Sequence, residues 1–376
     1  VPGFCFHGIF LWMLGILFLI GPVMLIVGTR PEAIKVAPVY RELKKQGVET
    51  LLCSTGQHSE LLKTALQDFS IEPDVDFALM KPGQDLFHIH EAVMEGCKKI
   101  FAEQKPSFVL VQGDTTSATA AALAAFYSHI PVGHIEAGLR SGHKKSPFPE
   151  EMNRRLISQI ADLHFAPTGA ALENLNGVEG EVYYTGNTVV DALQWILKRP
   201  PSEELRQKVG KAKGKKMLFT LHRRELSDEE IRKIFRAVKG AVEENFSVFY
   251  PAHPNPRIQK LIEEENLREK VEVMEPLSYA DLIYLIQSVD FVATDSGGIQ
   301  EEAVSLGKPV LVLRKENDRT EKGAYLVDLN GVGQAIEEAK KMNGGECSGA
   351  YGDGHAAERI VDAIVKKLHA RVELFR

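Results

Sequence analysis

Cysteine is scarce. Four occur in 376 residues, at positions 5, 53, 97 and 347. None forms a C-x-x-C pair or joins histidine at zinc-site spacing. That excludes a disulfide-framed module and a structural zinc site, and the thiols are expected to be reduced and inert. Positive charge is short as well. The chain has 45 Lys and Arg against 51 Asp and Glu, a net charge of −6, which argues against sequence-independent binding of nucleic acid. Several signatures are missing: G-x-x-x-x-G-K-[ST], G-x-G-x-x-G after the first strand, H-E-x-x-H and G-x-S-x-G. No internal repeat or low-complexity tract occurs.

What remains is ordinary for a globular chain: 44% hydrophobic and 26% charged residues, enough to bury a core without disulfides or metals. The first 22 residues do not fit that description. Residues 4–20 are nearly all apolar, with His7 as the only titratable side chain. No basic segment precedes them and no Ala-x-Ala site follows. We expect residues 1–22 to be a non-native or mis-assigned leader, with a membrane anchor or a buried extension as the alternatives. A cytoplasmic location is expected, and no membrane partner unless the leader is native.

From Met24 onward, short apolar runs alternate with helix-length amphipathic segments. The runs lie at 23–27, 50–53, 108–111, 132–135, 182–184, 217–220, 247–250, 271–273, 291–293 and 310–313. Continuous apolar strands alternating with helices predict parallel sheets covered on both faces. There are too many strands for one compact sheet. The expected fold is α/β with two Rossmann-like domains and the ligand in the cleft between them. We place the first domain at 23–186 plus a returning helix at 355–376, and the second at 187–354.

Chemistry-bearing residues follow these runs. Residues 295–302 read Asp-Ser-Gly-Gly-Ile-Gln-Glu-Glu, between a strand and a helix expected at 299–306. Glycines beside a helix start let backbone N–H groups approach an anion; the plain alternative is a Ser cap with a Gly turn. Gly28-Thr29-Arg30-Pro31-Glu32 follows the first run, with Lys35 one turn on. Two cations there suggest an anionic substrate, although Arg30 could simply pair with Glu32. Asp114 follows the run at 108–111, as a catalytic acid or as a helix cap. Glu136 follows the run at 132–135, as a site acid or as a partner of Arg140. Glu150 and Glu151 open a helix after a proline-rich loop. His222 follows the run at 217–220, flanked by Arg223 and Arg224, and Arg319 lies in a charged loop. Acids, a histidine and anion donors at strand ends suit proton transfer on a phosphorylated substrate.

The strings Gly28-Thr29-Arg30-Pro31-Glu32-Ala33-Ile34-Lys35, Thr55-Gly56-Gln57-His58, Gln112-Gly113-Asp114-Thr115, Glu136-Ala137-Gly138-Leu139-Arg140, Pro149-Glu150-Glu151, Asn153-Arg154, His222-Arg223-Arg224-Glu225 and Gly307-Lys308-Pro309-Val310 occur in order, with 295–302 among them. In this the chain resembles the non-hydrolysing UDP-N-acetylglucosamine 2-epimerases from Met24 to the final helix. The resemblance implies a glycosyltransferase-B-like fold and a homodimer; no cofactor and no metal site is expected from the motifs present. It implies interconversion of UDP-GlcNAc and UDP-ManNAc for cell-surface polysaccharide synthesis. By motif position, Arg30, Lys35, Asp114, Glu136, His222, Ser296, Gly297, Gly298, Glu302 and Arg319 would contact the UDP-sugar. Asp114, Glu136, Glu150 and His222 match the proposed catalytic group, and Gln57 falls in a motif linked to a second, allosteric UDP-GlcNAc. Three departures stand out. Leu226 replaces the usual Asn after His-Arg-Arg-Glu. The arginine loop reads Asn317-Asp318-Arg319-Thr320-Glu321. Leu277 and Leu282 occupy positions near the uracil where bacterial members place Gln and Phe.

The rival expectations are a hydrolysing 2-epimerase releasing ManNAc and UDP, an epimerase of a UDP-2,3-diacetamido uronic acid, a glycosyltransferase-B-type transferase, and a non-catalytic UDP-sugar sensor.

Overall fold

The computed structural model describes residues 21–56, 59–78, 84–221, 226–242, 246–314, 319, 322–342 and 349–374. The apolar segment at 4–20, Gln57 and His222 lie outside the described residues. The chain divides into two compact units, Val1–Ala192 with Gly352–Arg376, and Leu193–Tyr351. Among the described residues, no helix is long and apolar enough to cross a membrane.

The first unit is built on seven strands: β1 (Val23–Val27), β2 (Thr50–Ser54), β3 (Val75–Asp76), β4 (Phe108–Gln112), β5 (Val132–Ile135), β6 (Leu163–Ala166) and β7 (Glu181–Tyr184). Their spatial order is β3-β2-β1-β4-β5-β6-β7, and every pair is parallel. Strands β1, β4 and β5 are buried along their whole length, which is why they read as unbroken apolar runs. The winding reverses between β1 and β4. The loops leaving these two strands therefore open on the crevice where such sheets bind ligand.

The alanine-rich helix Thr116–Tyr127 follows β4 and packs against helices Leu86–Gln104 and Glu150–Ile160. Its small side chains, Ala118, Ala121, Ala122 and Ala125, share one core with Val93, Cys97 and Ile157. Burial there pushes the Cys53 thiol up to about 12, so it stays protonated. Helix Ala356–Leu374 packs against helix Arg30–Lys45, and the Asp191 carboxylate accepts from the Ala356 and Ala357 amides at 3.3 and 2.9 Å.

The second unit repeats the pattern with β8 (Lys215–Thr220), β9 (Phe246–Pro251), β10 (Glu272–Met274), β11 (Phe291–Thr294), β12 (Val310–Val312) and β13 (Ala324–Leu326). The order is β10-β9-β8-β11-β12-β13, again parallel throughout. The reversal falls between β8 and β11, whose last residues, Thr220 and Thr294, are register partners with hydroxyls 2.6 Å apart. An aromatic cluster supports this edge. Phe219 and Tyr250 lie 4.7 Å apart by ring centroid, and the Tyr250 hydroxyl donates to the Leu221 carbonyl at 3.1 Å. Leu226, one of the departures from the family strings, is buried in this core.

Candidate active site

The exit of β1 is built around a buried carboxylate. A Cβ on Gly28 would meet Thr55 Oγ1 at 2.6 Å and Ser117 Oγ at 3.0 Å, so only glycine fits without displacement. Thr29 caps helix Arg30–Lys45 from extended backbone, with Pro31 in the first turn and Glu32 closing a capping box. Glu32 Oε2 accepts from the Gly28 and Thr29 amides at 2.9 and 2.6 Å, and Oε1 accepts from the Thr115 hydroxyl at 2.7 Å. Burial pushes its pKa up, against the opposing pull of Thr115, Gly28 and Thr29. Glu32 thus takes up amides that a dinucleotide fold offers to phosphate. It also laces the loop after β1 to the loop after β4. Arg30, half-buried at the helix start, and Asp114 are held on neighbouring loops of one rim.

Asp114 is not the helix cap. Thr115 fills that role, its Oγ1 accepting from the Ala118 amide at 3.0 Å. Asp114 Oδ2 instead receives Arg154 Nε at 2.9 Å and Nη2 at 2.8 Å, and the Asp114 carbonyl accepts from Asn153 Nδ2 at 2.8 Å. Arg154 also reaches Glu151 Oε2 at 3.3 Å. Glu151 is fully buried and accepts from the Ser141 amide and from Arg155 as well, both at 2.9 Å. Of the two acids opening helix Glu150–Ile160, Glu151 is therefore framework. Glu150, half-buried in the first position, is the one left at the rim.

Glu136 follows β5 with φ of +64°, a conformation costly for a side chain other than glycine. Its Oε2 accepts from Lys35 Nζ and Gln112 Nε2, and all three residues are buried. The expected alternative, a pair with Arg140, does not form. Arg140 Nη1 donates to the Leu139 carbonyl at 2.8 Å and Nη2 to Ser158 Oγ at 2.9 Å. Gly138 has φ of +92°, and a Cβ there would sit 2.1 Å from the Ala171 carbonyl oxygen.

Two histidines buttress this rim. His134 and His164 are register partners on β5 and β6, both fully buried. His134 Nε2 lies 2.7 Å from the Gly113 carbonyl, so the ring donates there and holds the turn before Asp114. Burial pushes His134 down to about 4 and lowers His164 as well. The unfolded chain takes up these protons near pH 6.5. Between that pH and the folded values the unfolded state binds more protons, so stability falls as pH drops through the window and is flat above it. His134 alone should remove on the order of 3 kcal/mol between pH 6.5 and 4. Urea unfolding at a series of pH values checks this. His134→Gln, which keeps a donor for Gly113, should flatten the slope, and an unchanged slope would contradict the assignment.

In the second unit, Ser296 caps helix Gly297–Ser305, its Oγ accepting from the Ile299 amide at 3.5 Å. The glycines are thus the first two helical residues, two positions earlier than the sequence suggested. Their amides belong to the turn whose N–H groups lack intrahelical partners. The Ser296 amide donates to Thr294 Oγ1 at 2.9 Å. Arg319 lies against this helix start: a Cβ on Gly297 would meet its guanidinium carbon at 2.7 Å. Glu302 is buried in the same helix. Leu282 is buried in helix Tyr279–Ser288, and Leu277 is half-buried in the turn before it. The loop after β9 is explained by its own turn: His253 Nδ1 accepts from the Asn255 amide at 3.1 Å.

The first unit therefore gathers Arg30, Lys35, Asp114 and Glu136 along the exits of β1, β4 and β5. The second gathers Ser296, Gly297, Gly298, Glu302 and Arg319 at the exit of β11. The sequence offers Glu32 only as a partner for Arg30, and it assigns no role to Gln112, Arg154 or Glu301. Arg154 carried a signal in its three-residue spacing from Glu151. Glu32 carried one in the Thr29-x-x-Glu32 capping-box spacing, but its Thr115 partner and the Arg319 partner of Glu301 lie 83 and 18 residues away, where local pattern is silent.

Two Rossmann-like α/β domains, each with polar groups gathered at its chain reversal, define a two-domain nucleotide-ligand protein of glycosyltransferase-B-like type. The family model described as UDP-N-acetylglucosamine 2-epimerase matches residues 41–365. The Bacillus subtilis UDP-N-acetylglucosamine 2-epimerase is 42% identical over 364 residues, covering 91% of this chain and 94% of that one. Among solved structures, the Staphylococcus aureus MnaA–UDP co-structure aligns with a TM-score of 0.86 at 38% identity, covering 93% of this chain and 97% of that one. The Neisseria meningitidis UDP-GlcNAc 2-epimerase bound to UDP-GlcNAc aligns at 0.84 and 39%, covering 92% and 100%. The chain belongs to the UDP-N-acetylglucosamine 2-epimerase family.

Proposed function

We propose that this chain interconverts UDP-GlcNAc and UDP-ManNAc by inversion at C2, without net hydrolysis. What supports the reading is that Asp114 follows β4, Glu136 follows β5 and Glu150 opens the next helix, in a chain whose family is named for this reaction. The C2 hydrogen of an intact sugar is not acidic. Breaking the C1–O bond releases UDP and makes C1 electron-poor, which lets a base take the C2 proton. The product is 2-acetamidoglucal. Re-addition of UDP to C1, with a proton delivered to the opposite face of C2, gives the epimer.

Two acids on opposite sugar faces are required, and Asp114 and Glu150 are assigned to them. Glu136, locked by Lys35 and Gln112, orients the sugar or shares a proton. Arg30, Arg319 and the amides of Gly297 and Gly298 stabilise the departing diphosphate. His222, outside the described residues, is assigned to the leaving oxygen. The proposal requires both units to converge on one nucleotide sugar, in an interdomain cleft. A homodimer belongs to the same proposal and is checked by light scattering on a sizing column.

Incubation with UDP-GlcNAc alone, without NAD or acceptor, tests the activity. UDP-ManNAc should accumulate to a constant ratio from either starting sugar. Free ManNAc would instead mark a hydrolysing enzyme, and unchanged substrate would sink the proposal.

A further inference from the structure

Helix Gly297–Ser305 carries two buried polar side chains that the proposed chemistry leaves unused. Gln300 and Glu301 are each 1% exposed. Both reach forward to Arg319. Gln300 Nε2 donates to the Arg319 carbonyl at 2.9 Å, and Arg319 Nε donates to Glu301 Oε1 at 2.5 Å. One bond fixes the backbone and the other fixes the guanidinium plane. The result is visible at Gly297, where a Cβ would sit 2.7 Å from the guanidinium carbon, 2.8 Å from Nη1 and 3.1 Å from Nε. The guanidinium therefore lies against the first residue of the helix. A fixed guanidinium and a helix start gathered at one point suit an anion with several oxygens.

We infer that Glu301, supported by Gln300, is a positioning residue for the diphosphate. It holds Arg319 at the helix start so that the guanidinium and the Gly297 and Gly298 amides grip one ligand together. The inference rests on the UDP-sugar reading given above. A long side chain on a loop loses rotamer freedom whenever it is ordered by a ligand. Here the ordering is done in advance by a buried carboxylate. The inference requires that the effect fall on the phosphates and spare the uridine end of the ligand.

Affinities for UDP and for uridine, measured by titration calorimetry and ligand-observed NMR on the full chain, test the inference. Glu301→Met removes the acceptor without leaving a buried charge on the helix. It should weaken UDP at least tenfold and leave uridine within about twofold. Glu301→Gln, which restores an acceptor for Nε, should recover most of the UDP affinity. If Glu301→Met is insoluble, Gln300→Met leaves the carboxylate in place and carries the same expectation. Wild-type affinity for UDP in Glu301→Met would overturn the inference. So would equal losses for UDP and uridine, which describe a merely damaged helix. Turnover of UDP-GlcNAc by wild type in the same preparation separates the two claims. Selectivity for UDP without epimerisation overturns the epimerase reading and leaves the positioning role standing.

Discussion

Asp114→Asn should turn over UDP-GlcNAc about a hundredfold to ten-thousandfold more slowly than wild type, the range for losing an essential acid or base. Affinity for UDP should stay close to wild type. The geometry makes this substitution informative. Thr115, not Asp114, caps the following helix, so the change removes no cap. Asparagine retains an oxygen for the two Arg154 donors that Asp114 Oδ2 now receives. The carbonyl of residue 114 keeps its bond from Asn153, because that bond does not involve the side chain. What is lost is the capacity to exchange a proton. Glu150→Gln carries the same expectation at the opposite face of the sugar. Steady-state rates, with melting temperature as a control, check both variants. Full turnover in both would show that the acids are misassigned. Slow turnover with an equally large fall in stability would mark Asp114 as framework.

The second large effect is on folding. Lys35→Met should destabilise the first unit by about 3–5 kcal/mol, the usual result of stranding one member of a buried ion pair. The Lys35 and Glu136 side chains are only 6% and 5% exposed, and Glu136 keeps only the Gln112 amide among the two donors described to its Oε2. The remaining carboxylate would be held in backbone of positive φ after losing its Lys35 partner. Glu136→Gln added to Lys35→Met removes the stranded charge and should recover much of the loss. Urea unfolding of the single and double variants checks this. A single-variant loss below about 1 kcal/mol, the range of exposed pairs, would contradict the buried-pair account.

Much of this architecture was legible in the chain. Strands buried along their whole length, such as β1, β4 and β11, appear as largely apolar runs because a polar side chain there needs a buried partner. The strands that escaped notice have physical reasons. β3 is only Val75–Asp76 at one sheet edge, and β13 exposes Tyr325 and Leu326 at the edge of the other sheet. β6 carries His164 in its middle, tolerated because Nε2 meets the Glu179 carbonyl at 2.9 Å. At β10 the apolar run begins one residue before the strand, because Val271 is buried in the core while its amide bonds the Leu267 carbonyl outside the ladder.

The rim was legible as residue types at strand ends, but not as pairings. Asp114 reads as a cap in sequence because a helix follows at once, and only the backbone shows that Thr115 takes the role. Glu136 stands four residues from Arg140, yet the left-handed turn at Glu136 accompanies its pairing with Lys35, 101 residues earlier. Such partners are chosen by sheet order, which no local pattern encodes.

The account depends on a proton leaving and returning at C2 while the glycosidic bond is open. Proton NMR of UDP-GlcNAc with purified protein in D₂O measures that event directly. UDP-ManNAc should appear with deuterium at C2, and the C2 proton signal of the recovered UDP-GlcNAc should fade as the reaction reverses. An epimer that keeps its original C2 hydrogen, or a C2 signal of full intensity after prolonged incubation, would contradict it.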